Sequence, residues 1–176
     1  MRELTEQEIV RRDKIKDIKE VCNPYPDRFL RTHSLKDARD LSDGEVNVAI
    51  AGRIIFMRKM GKLSFVRIRD LEGDMQLEFK VDMLGEEKYS FFKKQIDTGD
   101  FIGVRGEIFT TQTGEKTLRV HTYEFLGKAL RPLPEKFHGL ADIELKYRQR
   151  YVDLIMNEES RKVFLAKSKY YLFIRN

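Results

Sequence analysis

An all-β core with flanking helices is the fold class this sequence predicts, on three observations. From residue 45 the apolar residues leave helical spacing and take a period of two. Two alternating runs then follow one another across the polar break Asp70-Leu71-Glu72-Gly73, as the arms of a hairpin do. Gly52, Gly103 and Gly106 fall inside strand patterns, where a small barrel needs bends and bulges.

Taken in order, Thr5-Glu6-Gln7-Glu8 has the form of a capping box and predicts a helix reaching residue 21 or 22. Its polar side carries Arg11, Arg12, Lys14, Lys16 and Lys19, and Ile15, Ile18 and Cys22 share an apolar stripe. Asn23-Pro24-Tyr25-Pro26 stops it. Ser34-Leu35-Lys36-Asp37 predicts a short second helix. Val46, Val48 and Ile50 open the first strand, which stays apolar through Ile54, Ile55 and Phe56. Arg58-Lys59-Met60-Gly61-Lys62 reads as a basic turn. The second strand is Leu63-Ser64-Phe65-Val66-Arg67-Ile68-Arg69 and the third is Met75-Gln76-Leu77-Glu78-Phe79-Lys80-Val81. Residues 85–96 are helical in composition, and Thr98-Gly99-Asp100 is a turn. Strand four covers 101–109, the loop Thr111-Gln112-Thr113-Gly114-Glu115-Lys116 follows, and strand five covers 117–126.

Three strands, a helix and two strands is the order of the OB-fold, a five-stranded Greek-key barrel whose second and third strands bind oligonucleotides. Another small barrel or an open sheet shares these local patterns. Leu130-Arg131-Pro132-Leu133-Pro134 is a stiff linker. Residues 141–155 read as a helix through Ile143, Tyr147, Tyr151 and Leu154. Residues 158–176 read as another, carrying Val163, Phe164, Ala166, Tyr170, Tyr171, Phe173 and Ile174. A helix apolar over so much of its circumference is expected to be buried, by a larger domain or a partner. The expected organisation is a helical extension over 1–44, the OB-fold over 45–128, and a linker with the start of a further domain over 129–176.

The 176 residues suffice for one domain with a core and an appendage, and the net charge of +5 modestly favours a polyanionic partner. Cys22 is the single cysteine, so no internal disulfide forms and a reducing compartment is expected. No apolar run approaches a membrane span, and Met1-Arg2-Glu3-Leu4 lacks the stretch of a secretion signal. A cytoplasmic address with no membrane partner is the expectation.

Catalytic chemistry is not apparent. His33, His121 and His138 are far apart and none stands at metal-ligand spacing with Cys22, so no metal is assigned. There is no phosphate-binding loop and no G-x-G-x-x-G after a strand. Glu86-Glu87 and Glu158-Glu159 look like solvated helix starts.

A binding surface is apparent instead. In an extended second strand, Val66 and Ile68 share one face, and Phe65, Arg67 and Arg69 the other. A large ring then projects among cations. With Asp70 to Gly73 as the hairpin loop, Phe65 lies opposite Glu78 and diagonal to Gln76. An aromatic platform, an amide and nearby positive charge are the means by which single-stranded nucleic acid is held. The plain alternative is a ring packed under a loop, since single exposed aromatics are common. The candidate members are Arg58 for a phosphate or a base, Phe65 for stacking, Gln76 for a base edge, and Glu115 for a base amino or imino group. Lys59, Lys62, Arg11 and Arg12 are candidates for phosphate contacts.

Several stretches are similar to one family. MGKLSFVRIRDLEGDMQLEF (residues 60–79), KALRPLPEKFHGL (128–140) and ELKYRQRYVDLI (144–155) resemble bacterial-type class II lysyl-tRNA synthetases, as do Arg11-Arg12-Asp13-Lys14 and Asn23-Pro24-Tyr25-Pro26. The resemblance implies an OB-fold that binds the anticodon stem-loop of lysine tRNA. It implies that Phe65 stacks on the central anticodon uridine, that Gln76 contacts the same base, and that Arg58 and Glu115 match further contact positions. It also implies a full-length homodimer that attaches lysine to tRNA with ATP and Mg2+. By the same resemblance, the chain is expected to end inside the helix that begins the first of three class II motifs. The expectation is therefore an N-terminal part whose catalytic domain is missing, with no cofactor and no lysyl-adenylate formation of its own. A general single-stranded nucleic-acid-binding module and a helix-mediated interaction domain are the other readings.

Overall fold

The computed structural model of this chain describes residues 3–134 and 143–176; His138 and the first two positions of the helix expected over 141–155 lie outside them. Contacts divide the chain into two units, one running to Pro132 and one from Leu133 onward.

In the first unit, Thr5 starts helix α1 (Glu6–Val21). Its hydroxyl accepts from the Glu8 amide at 3.3 Å, and the Glu8 carboxylate accepts from the Thr5 amide at 2.9 Å. Two of the helix's orphan amides are thereby satisfied. Ile18 is fully buried, with Ile15 and Cys22 partly covered beside it. Ser34 caps the short α2 (Leu35–Arg39) in the expected way.

The five strands are β1 (Val48–Met60), β2 (Leu63–Arg69), β3 (Asp74–Lys80), β4 (Phe101–Thr110) and β5 (Lys116–Gly127). They pair in the order β1-β2-β3-β5-β4, and β4 returns to β1, which closes the sheet into a barrel. Only the β3–β5 ladder is parallel. Between β3 and β4 lie α3 (Val81–Leu84) and α4 (Glu86–Gln95). The inward residues of every strand fill the interior: Ile50, Ile54, Ile68, Leu77, Val104, Ile108 and Leu118 are each 0% exposed. Phe92 of α4 stacks on Phe79 at 4.1 Å between centroids and closes one end.

Backbone approach fixes Gly106. A Cβ there would lie 1.9 Å from the Arg119 carbonyl oxygen, at the point where the β4–β5 register shifts. A bulge needing this closeness admits only glycine.

The first strand departs from the sequence reading in three ways. It begins at Val48, because Asn47 takes a left-handed φ of 61° and Val46 stays exposed. It runs through Arg58 and Lys59 to Met60, so the expected basic turn shrinks to Gly61-Lys62. It also carries a bulge. The pair Ile54↔Ile68 gives way to Phe56↔Arg67, so Ile55 has no partner in β2. In β3 the alternation ends one residue early, since Val81 opens α3.

A buried charge cluster ties α1 to the barrel and to the segment leaving it. Lys128 and Asp100 both have fully buried side chains. Lys128 Nζ donates to Asp97 and to the Gln95 carbonyl, each at 2.6 Å, and to Asp100 at 2.8 Å. Asp100 also accepts from the Ala129 amide at 2.9 Å. From α1, Lys14 donates to Asp97 at 2.7 Å, and Arg11 donates to the carbonyls of Ala129 and Thr98. Burial pushes the Asp100 carboxyl above its ordinary value against the pull of Lys128. Burial also acts on Asp97, but hydrogen bonds from Lys128 and Lys14 outweigh it and hold that carboxyl low.

In the second unit, the helix expected over 141–155 is two, α5 (Ile143–Arg148) and α6 (Arg150–Met156). Gln149 interrupts them with φ −114° and ψ 51°. Asn157 caps α7 (Glu158–Arg175) by accepting from Glu159 and Ser160. The helix forms as expected, but it buries none of its residues, and Phe173 is 81% exposed.

Replacing Lys128 with Met is expected to destabilise the first unit by about 3–5 kcal/mol, because it strands buried Asp100 without a counter-charge. Urea unfolding measures the loss. Pairing the change with Asp100→Asn is expected to recover a large part of it.

Candidate nucleic-acid interface

The pleat sorts β2 into two faces. Ser64, Val66 and Ile68 are buried, while Leu63, Phe65, Arg67 and Arg69 lie on the outer side at intermediate exposure. Phe65 therefore stands outside the barrel, as the alternation predicts. It pairs with Glu78 of β3 and lies diagonal to Gln76, which pairs with Arg67. On its other side it pairs with Arg58 of β1. Arg58 is thus a strand residue beside the ring, closer to it than a hairpin turn would allow, and its side chain is exposed.

Gln76 donates its amide to Thr117 Oγ1 at 3.0 Å. This fixes the side chain and leaves its carbonyl oxygen to accept from a ligand N–H. Glu115 lies in the β4–β5 loop and is drawn to the same face. Its carboxylate accepts from Arg67 at 2.8 Å, and Arg67 also donates to Asp74 at 3.1 Å. The structure thus gathers Arg58, Phe65, Gln76 and Glu115 onto the outer surface of β1, β2 and β3.

Sequence reasoning places Arg67 and Glu78 on this face but not their ion pairs, and it misses Phe56. Arg67 is the residue that places Glu115. Glu78 faces outward in register yet is only 5% exposed, held by Arg119 at 3.1 Å and Lys80 at 3.2 Å. Phe56, which ends the apolar run of the first strand, is 50% exposed and pairs with Arg67 on the outer face. The run Ile54-Ile55-Phe56 held the signal, because three apolar residues in a row cannot all point inward from one regular strand.

The four cations expected at phosphates separate into two kinds. Arg11 is 12% exposed and binds backbone carbonyls of the first unit. Lys59 folds back onto the carbonyls of Lys93 and Ile96 at the end of α4, where burial lowers its pKa. Both bind carbonyls of the fold, and Lys59 is nonetheless an exposed residue. Arg12 and Lys62 are exposed. Among the described residues, no group of His, Cys, Asp and Glu is arranged to hold a metal ion, and no helix is long and apolar enough to cross a membrane.

Residues 48–126 match the tRNA anticodon family of OB-fold nucleic acid binding domains. The chain is 45% identical over 184 residues to a lysine–tRNA ligase of Lysinibacillus sphaericus, covering 99% of this chain and 37% of that protein. It is 49% identical over 137 residues to the lysine–tRNA ligase of Aquifex aeolicus, covering 78% and 23%. It is 41% identical over 177 residues to that of Bacillus subtilis, covering 95% and 35%. The chain thus spans 23–37% of the length of these curated relatives.

Arg67→Ala is expected to lower stability by less than about 1 kcal/mol, since its ion pairs are partly exposed. It is also expected to free the loop that carries Glu115. Faster amide hydrogen exchange across residues 111–116, with the rest of the barrel unchanged, is the result that checks it.

Proposed function

We propose, from the premise that residues 48–126 belong to the tRNA anticodon-binding OB-domain family and that the chain matches the N-terminal region of lysyl-tRNA synthetases, that the outer face of β1, β2 and β3 binds the anticodon loop of lysine tRNA. The observation that carries this reading is the place of Phe65. A ring outside the barrel, between exposed Arg58 and a Gln76 held by Thr117, offers a base a stacking surface with an acceptor at its edge.

Each residue has a distinct part. Phe65 stacks a base that has left the loop. The Gln76 carbonyl oxygen accepts from that base's N–H. Glu115, steadied by Arg67, accepts from a neighbouring base amino or imino group. Arg58 supplies a cation beside the ring, and Lys62 and Arg12 attract the RNA backbone from exposed positions. In the whole protein this face would hold the anticodon while a separate domain, using ATP and Mg2+, attaches lysine to the tRNA. The uncovered apolar residues of α7 suit a helix that packs in the full-length homodimer.

Phe65→Ala is expected to weaken binding of a lysine-tRNA anticodon stem-loop about tenfold, with the circular dichroism spectrum unchanged. Filter binding measures the affinity. An unchanged dissociation constant would remove the stacking role. Equal affinity of the unmodified chain for lysine and aspartate anticodon stem-loops would reduce the reading to a general single-strand binder.

A further inference from the structure

Phe56 is the one apolar residue of the interface whose exposure is produced by an irregularity of the backbone. Ile54 points inward and is 0% exposed, and an unbroken strand would send Phe56 the same way. The bulge at Ile55 reverses that parity and sets Phe56 outside, 50% exposed. Bulges beside binding sites commonly re-aim a side chain in this manner.

The ring is also uncovered. Three other phenylalanines on the outside of the barrel carry a guanidinium over their faces: Phe29 under Arg105 at 5.0 Å, Phe101 under Arg53 at 4.1 Å, and Phe109 under Arg119 at 4.3 Å. Among the described residues, Phe56 and Phe65 have no such cover. For Phe56 the reason is visible. Its cross-strand neighbour Arg67 is committed to Asp74 and Glu115.

Register sets the spacing. Phe56 pairs with Arg67 and Phe65 pairs with Arg58, so the two rings occupy diagonal positions across one ladder. Diagonal side chains on a sheet lie roughly 7–8 Å apart. Sheets that bind single-stranded RNA use such a pair of aromatics to stack successive bases.

We infer that Phe56 is a second stacking platform, which takes the unpaired RNA base next in sequence to the one on Phe65. The inference rests on the anticodon-loop reading above. Exposed Arg58, on the same face, directly across the ladder from Phe65 and two residues along β1 from Phe56, favours a phosphodiester-linked pair of bases over an apolar protein segment as the occupant.

The test uses the full chain and lysine-tRNA anticodon stem-loops, with 2-aminopurine or an abasic nucleotide placed in turn at each loop position. Phe56→Ala is expected to weaken binding about tenfold, and Phe56→Tyr to bind within about twofold of the unmodified chain. An abasic nucleotide at one position is expected to erase the effect of Phe56→Ala and retain that of Phe65→Ala. The adjacent position is expected to do the reverse. In the unmodified chain, 2-aminopurine is expected to be quenched at both positions, a readout that needs no variant. If Phe65→Ala weakens binding while Phe56→Ala does not, and one position alone is quenched, the inference fails and the anticodon reading stands. If the unmodified chain binds none of these RNAs, both fail. If Phe56→Ala alters self-association in light scattering and leaves RNA affinity intact, the ring belongs to a protein contact and the inference is overturned.

Discussion

Closure of five strands around a narrow interior is the constraint from which the rest follows. Each strand must send alternate side chains into a space already filled by its neighbours, and β1 is held from both sides by β2 and β4. Once Val66, Ile68, Met75 and Leu77 are committed inward, the outward set of β2 and β3 is decided without further choice. The aromatic, amide and charged side chains of the candidate interface are that outward set. A shift of one residue in β2 would bury Phe65 and Arg67 together, which the interior cannot accept. The interface is thus defended by the core beneath it.

The same logic explains which parts were legible in the sequence. β2 and β3 were readable because both alternate without interruption and the four-residue loop between them fixes one register. Phe65, its partner Glu78 and its diagonal neighbour Gln76 followed directly. β1 was read less well. Its bulge at Ile55 and the left-handed Asn47 break the period that the reading relied on, and neither leaves a strong residue signature. The interrupted helix at Gln149 was hidden for a similar reason, since no Gly or Pro stands there.

Charges were the least legible feature, because a cation's role depends on partners far away in sequence. Arg11 and Lys59 resembled Arg12 and Lys62 as letters. The fold separates them by binding the first two to carbonyls 34 to 118 positions away. Arg67 shows the converse. By pattern it is only nearby positive charge, yet it draws a carboxylate from 48 positions along the chain onto the candidate face. Without it, Glu115 would stand on the proposed RNA-binding face as an unbalanced negative charge. The bridge holds the acceptor in place and offsets its repulsion at once.

Two rings left outside the core, Phe56 half-exposed and Phe65 partly covered, have an energetic meaning. Burying a phenylalanine side chain is worth about 1.5–3 kcal/mol, and the barrel forgoes part of that at Phe56 and again at Phe65. Elsewhere on this surface the chain recovers some of the loss by laying arginines over Phe29, Phe101 and Phe109. At the two β1–β2 positions it does not, although Arg58 and Arg67 stand directly across the ladder. Arg67 is held away by Asp74 and Glu115, and the bulge that exposes Phe56 also sets the register in which Arg58 faces Phe65. Under the proposed reading, stacking on bare rings supplies affinity without regard to base identity, since every base has a π-face. Discrimination then falls to the groups whose hydrogen-bonding direction is fixed, the Gln76 carbonyl oxygen and the Glu115 carboxylate. The structure accordingly spends its rigidity there: Thr117 and Arg67 hold these two acceptors, while the rings on β1 and β2 carry no arginine over their faces.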